Sequence, residues 1–145
     1  MSSEIVIKFL VAAVLAGTPF LFGTVGEILS EKVGHLNLGV EGMMSIGACA
    51  GFMVGYQTDN FVAALLAAAV AGMLSALIYG VLTVTFMANQ NVTGLTLTIF
   101  GVGLANFIGV FMLEKSENGT LKLPDAVTAQ MRNIHIPGLS DMPVV

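Results

Sequence analysis

Charge is what this sequence has least of. Of its 145 residues, 10% are Asp, Glu, Lys or Arg, where a soluble domain carries roughly 25%. None occurs between positions 60 and 113, nor in 9–26 or 42–58. A chain so short of charge cannot cover a water-facing surface, which excludes an ordinary soluble domain. Cysteine is nearly absent as well. The single Cys49 excludes a disulfide framework and a cysteine metal cluster, and its apolar setting reads as packing. No metal site is expected. The basic residues form no patch, so nucleic acid is not an expected partner. Enzyme signatures are missing too. His35 and His135 stand alone, no nucleophile–base spacing occurs, and there is no phosphate loop of the form Gly-x-x-x-x-Gly-Lys-Ser/Thr. If ATP drives this protein, another subunit hydrolyses it.

Long apolar runs are what the sequence has in their place. Hydrophobic residues make up 56%, and a span of about 18 or more reads as a membrane helix. The expected fold is all-α, a polytopic transmembrane bundle with about four membrane segments at 5–29, 36–56, 61–87 and 92–113. The first is a retained helix and not a cleaved signal, because its start is acidic and its apolar run is too long. Pro19 inside it predicts a kink or local unwinding. Residues 57–60 and 88–91 are turns. The third segment carries Ala64, Ala68, Gly72, Ala76 and Gly80 every four residues, a small-residue stripe another helix can approach closely. Gly47, Gly51 and Gly55 form a similar stripe on the second segment, as do Gly101, Ala105 and Gly109 on the fourth. From Glu114 charges and prolines return. Residues 114–145 are therefore an extramembrane segment, with one short surface helix near 124–132. The chain then looks cut before further spans. Counted by the positive-inside rule, its few Lys and Arg weakly favour a cytoplasmic tail.

One stretch stands apart. Residues 36–42 place Asn37, Gly39, Glu41 and Gly42 where the chain enters lipid. A carboxylate at bilayer depth costs a few kcal/mol or more, and glycines weaken the helix. Such a segment is tolerated only where protein or water surrounds it, so we expect a broken or late-starting helix inside the bundle. Two roles fit Glu41. It lines a substrate or ion path, or it holds the break by accepting hydrogen bonds. Asn37 reads mainly as a cap for the exposed helix end. Thr93, Thr96 and Asn106 lie loosely on one face of the fourth segment and are candidates for lining the path, although threonine in a membrane helix often bonds its own backbone. The glycosylation patterns at Asn91 and Asn118 carry no weight, because short matches are common by chance.

The run from Ser30 to Ala48, with its pattern Glu-x-x-Gly-x-x-Asn-Leu-Gly-x-Glu-Gly-Met-Met, resembles the permease subunits of bacterial ABC importers for branched-chain amino acids, ribose and nucleosides. It is most similar to the nucleoside or simple-sugar branch, and the likeness extends through Asn91-Val92-Thr93-Gly94 and the fourth segment. The resemblance implies a multi-pass protein of the bacterial inner membrane. It implies a second permease subunit, in a homodimer or heterodimer, together with cytoplasmic ATPase subunits and an extracytoplasmic substrate-binding protein. It implies no cofactor on this chain, ATP being bound by the partner. It also implies that Lys32 faces the cytoplasm and the segment from Glu114 the outside, against the charge count. The function expected is the N-terminal part of an ATP-driven permease for nucleosides or simple sugars, working by alternating access with 37–41 beside a path near the midplane. The alternative is an ion-coupled transporter or channel with Glu41 as the ion site. A third reading is a membrane protein acting through packing alone.

Overall fold

Lipid offers no hydrogen bonds to a bare backbone, so an apolar chain must satisfy its amides internally. This one does so with helices. A computed structural model describes residues 3–116 and 119–132, all helical or in connecting turns, with no strand among them. The expectations that concern His135, Asn118 and the rest of 133–145 lie outside these residues. Helix α1 is Ser3–Lys32, α2 is Val40–Thr58, α3 is Phe61–Gly80, α4 is Gln90–Lys115 and α5 is Asp125–Arg132. α1 stays helical through Pro19 and has no unwound turn there. Proline removes one backbone hydrogen bond, and in lipid the neighbouring bonds are too costly to give up with it.

Local chemistry sets the ends. The Asn60 side chain caps α3 by accepting from the Val62 and Ala63 N–H groups, at 2.9 and 3.3 Å. Asn89 caps α4 through Val92 N–H at 3.1 Å. Both satisfy amides that the first turn leaves free. α3 runs on into a π-helical turn, Val81–Thr85. There Ala88 N–H reaches back to the Leu82 carbonyl at 3.0 Å, and the Met87 φ of 53° closes the turn.

Three helices are long and apolar enough to cross a membrane: Ile5–Lys32, Phe61–Thr85 and Gln90–Lys115. The protein is multi-pass. α2 has 19 residues, about 28 Å at 1.5 Å per residue. Its four glycines and Glu41, and its Tyr56-Gln57-Thr58 end, make it less apolar than the others.

Small residues decide how the helices pack. α2 and α3 run antiparallel. A Cβ at Gly47 or Gly51 would fall about 3.1 Å from the carbonyl of Ala68 or Ala64, and one at Gly55 3.2 Å from the Ala64 Cβ. The two stripes therefore meet over Ala64, Ala68 and the start of Gly72. Ala76 is exposed, and nothing lies within 4 Å of a Cβ at Gly80. A four-residue repeat drifts about 40° per step on a helix of 3.6 residues per turn, so the stripe rotates out of the contact. Ser75 and Tyr79 are buried in its place.

α2 and α4 run parallel and touch backbone to backbone. A Cβ at Gly42 would overlap the Leu97 carbonyl and the Thr98 Cα, and one at Gly101 would overlap Gly42. α5 folds back over the α2–α3 turn. Val127 is fully buried, and the Gln130 side chain accepts from Phe61 N–H at 3.2 Å. The expected turn at 57–60 is shorter, because α2 runs on through Gln57 and Thr58; the turn at 59–60 and the chain after α4 therefore share one end of the bundle. The chain before α2 and the turn at 86–89, which ends two residues earlier than the expected 88–91, share the other.

Candidate functional site

The second apolar segment is helical only from Val40, because residues 36–39 are not part of a helix. α1 ends at Lys32, and the chain turns through Gly34, whose φ of +85° only glycine adopts freely. Residues 36–38 then lie outside any helix, and the Gly39 carbonyl accepts the first bond of α2, from Met43 N–H at 3.0 Å. Each of five backbone groups in this stretch finds a side chain. Leu36 N–H donates to Gln90 Oε1 at 2.9 Å, and the Leu36 carbonyl accepts from the Tyr79 hydroxyl at 2.8 Å. Asn37 N–H donates to Glu27 Oε1 at 2.7 Å. The Leu38 carbonyl accepts from Thr98 Oγ1 at 2.7 Å, and Gly39 N–H donates to Asn37 Oδ1 at 2.9 Å. Thus α1, α3 and α4 each send at least one side chain into the break. Irregular backbone inside a membrane requires this kind of support.

The glycines allow the approach. A Cβ at Gly94 would sit 2.8 Å from Leu38 N, and one at Gly39 would sit 3.3 Å from the Gly94 carbonyl. Asn37 is only 8% exposed. Its oxygen closes the turn onto Gly39, and its amide nitrogen reaches Met43 Sδ at 3.7 Å, a weak acceptor. Asn37 therefore bonds Gly39, the residue before α2, from inside the break and caps no amide of the helix itself.

Glu41 stands in the first turn of α2, where the helix dipole favours a negative charge. It is exposed, and its carboxylate holds no hydrogen bond or ion pair among the described residues. It lines a cleft of about 570 Å³ between α1 and the start of α2. Glu27, Thr24, Asn37 and Ser45 bring further polar groups to that cleft, and Phe20 and Met44 bring apolar ones. Glu27 is half-buried. One of its oxygens bonds the break, and the other, Oε2, is buried without a protein partner among the described residues.

The other candidates lie apart. Thr93 and Thr96 line a shallow groove with Ile78 and Leu82, between α3 and α4. The Thr96 hydroxyl bonds the Val92 carbonyl of its own helix at 2.8 Å. Asn106 is exposed beside Cys49 and Ala105 in a groove between α2 and α4. Neither group joins the cleft. The break itself faces 94–98, four to eight residues inside α4. That is about 6–12 Å from the start of α4 at 1.5 Å per residue, nearer one end of the bundle than the middle.

Four residues at the break were not singled out by sequence reasoning: Glu27, Tyr79, Gln90 and Thr98. Glu27 carried a usable signal, since it is a carboxylate more than a turn inside an apolar helix. Gln90 read as turn polarity, and Tyr79 and Thr98 as ordinary members of spans.

Comparison with known proteins agrees over nearly the whole chain. The family described as branched-chain amino acid transport system / permease component matches residues 5–133. The protein named Putative glucose ABC transporter permease protein TsgC13, from Haloferax volcanii, is 35% identical over 126 residues, covering 87% of this chain and 38% of its own length. Guanosine ABC transporter permease protein NupQ of Bacillus subtilis is 32% identical over 140 residues, covering 92% of this chain and 42% of its own. Nucleoside ABC transporter permease protein NupC of Lactococcus lactis is 29% identical over 135 residues, covering 88% and 40%. The chain thus spans about two fifths of the length of these relatives. No solved structure matches. A helix-break site built by every long helix and a family match over residues 5–133 lead to one conclusion: the chain belongs to the family of branched-chain amino acid transport system permease components.

Proposed function

We propose that this chain forms the N-terminal part of the permease subunit of an ATP-driven importer for nucleosides or simple sugars. The observation that carries it is the family match together with relatives named for glucose, guanosine and nucleosides. The geometry supports a path beside the break. Glu41 presents a free carboxylate to the α1–α2 cleft, and the break behind it is held by side chains from three helices. In the proposed cycle, ATP binding on separate cytoplasmic subunits rocks two permease bundles against each other. The cleft then opens to one side of the membrane at a time. Substrate arrives from an extracytoplasmic binding protein, and the setting is the bacterial inner membrane. Lys32 faces the cytoplasm and the chain after Glu114 faces outward.

Transport by the full-length permease in proteoliposomes decides it. With the binding protein inside the assay and the ATPase subunits present, nucleoside or sugar uptake is expected only when ATP is supplied. Uptake driven by a proton or sodium gradient without ATP would reject the proposal in favour of Glu41 as an ion site. The same assay separates the roles of Glu41. Glu41→Gln is expected to slow ATP-driven uptake without abolishing it, because in this scheme the carboxylate shapes and lines the path and carries no ion.

A further inference from the structure

The supports of the break are unequal. Toward α3 and α4 it is held by the Tyr79, Gln90 and Thr98 side chains, at 2.7–2.9 Å, and by the backbone contacts at Gly39, Gly42, Gly94 and Gly101. Close-packed backbones of this kind do not slide independently, because every approach is fixed by the absence of a Cβ. α2, α3 and α4 therefore make one stiff unit with the break built into it. α1 is different. No residue in the most apolar 18-residue stretch of α1 is buried. Its packing on α2 is confined to the stretch where a Cβ at Gly23 would sit 3.0 Å from Met44 Sδ and 3.4 Å from Val40. Among the described residues, its one side-chain hydrogen bond to another element is Glu27 to Asn37 N–H, at 2.7 Å.

We infer that Glu27 is a positioning residue. It latches α1 to the broken segment and so sets the width of the cleft that Glu41 lines. The inference rests on the proposed transport role for its functional consequence, though not for its structural one. A carboxylate acting as a hydrogen-bond acceptor toward a backbone N–H makes one of the stronger bonds available. The side chain has the right reach. Glu27 lies on the last turns of α1, and Oε1 meets an amide ten residues on, across the turn at Gly34. What the latch needs is an acceptor oxygen at that distance. It does not need a charge that moves.

That distinction gives the test. Glu27→Gln keeps the length and one carbonyl acceptor. Glu27→Asp keeps the charge and withdraws the oxygen by about one methylene. If Glu27 positions the break, the glutamine variant of the full-length permease retains ATP-driven uptake within about threefold, and the aspartate and alanine variants lose about tenfold or more. The reverse order, with aspartate active and glutamine inactive, would overturn the inference and make Glu27 a proton or cation carrier. Equal activity of all three would overturn it as well. A second measurement is independent of transport. Nitroxides at positions 28 and 99, on exposed faces of α1 and α4, report the α1 distance by double electron–electron resonance in a Cys49→Ala background. Glu27→Ala is expected to broaden or lengthen that distance and to leave the 74–107 distance between α3 and α4 unchanged. An unchanged 28–99 distribution would remove the latch even if uptake changed. A failure of ATP dependence in the wild type would instead count against the transport reading alone.

Discussion

Single residues at this site act through what they lack as much as through what they carry. Gly42 has no Cβ where one would overlap the Leu97 carbonyl and the Thr98 Cα, and Gly101 has none where one would overlap Gly42. These two positions bring α2 and α4 together over the break. Gly80 is a glycine of another kind, with helical φ of −61° and nothing within 4 Å of an added Cβ. Substitution should separate them. Gly42→Ala overpacks a backbone contact and is expected to cost about 1–3 kcal/mol. Gly80→Ala removes helix-interior flexibility and is expected to be neutral or to stabilise by up to ~1 kcal/mol. Unfolding of the detergent-solubilised protein by SDS titration measures both. Equal effects at the two positions would mean that the α2–α4 crossing is looser than the structure shows.

The break behaves as an element in its own right, although it has no regular structure. Its carbonyls at Leu36 and Leu38 are held by hydroxyls from different helices, Tyr79 and Thr98. Hydrogen bonds between membrane helices average about 0.6 kcal/mol and reach ~1.7 kcal/mol, so Tyr79→Phe and Thr98→Val should each cost within that range. Their combination is expected to cost less than the sum by about 0.5 kcal/mol or more, because the first loss loosens the segment that the second holds. Strict additivity in this double-mutant cycle would show two separate contacts and no shared element. Asn37 belongs to the same unit, bonding Gly39 from within. Thr96 does not, since its hydroxyl is spent on the Val92 carbonyl.

At the scale of the molecule, the antiparallel pairing of α2 with α3 and the parallel pairing of α2 with α4 fix which ends share a membrane face. The turn containing Asp59 lies with the chain after α4, and the start of α4, with Asn91, lies with the entry to α2. Asp59 and Asn91 are both exposed. Cysteines at these positions, in a Cys49→Ala background, should react with a membrane-impermeant maleimide from opposite sides of sealed vesicles. Labelling of both from one side would contradict the topology. Large apolar side chains along α1, including Phe9 and Phe22 at 70% and 71% exposed, face outward from the bundle. Water does not tolerate such a surface, whereas lipid or a second bundle does.

Composition and spacing alone determined the helical membrane class and the oddity of 36–42. They did so because lipid imposes one rule, that apolar runs become helices with internally bonded backbones. The glycines of α2 and the first alanines of the α3 stripe were also legible, since close packing needs small residues at regular intervals. What only the tertiary structure decided is who supports the break. Glu27, Tyr79, Gln90 and Thr98 come from sequence positions up to 60 residues from their partners, and no local pattern records a hydrogen bond of that range. The same holds for Glu41. Sequence marked it as a carboxylate needing compensation, and the fold gave that compensation to Glu27's neighbourhood and left Glu41 open to the cleft. The reason is geometric: the turn at Gly34 brings the end of α1 against Asn37, and the first turn of α2 places Glu41 on the exposed side facing the cleft.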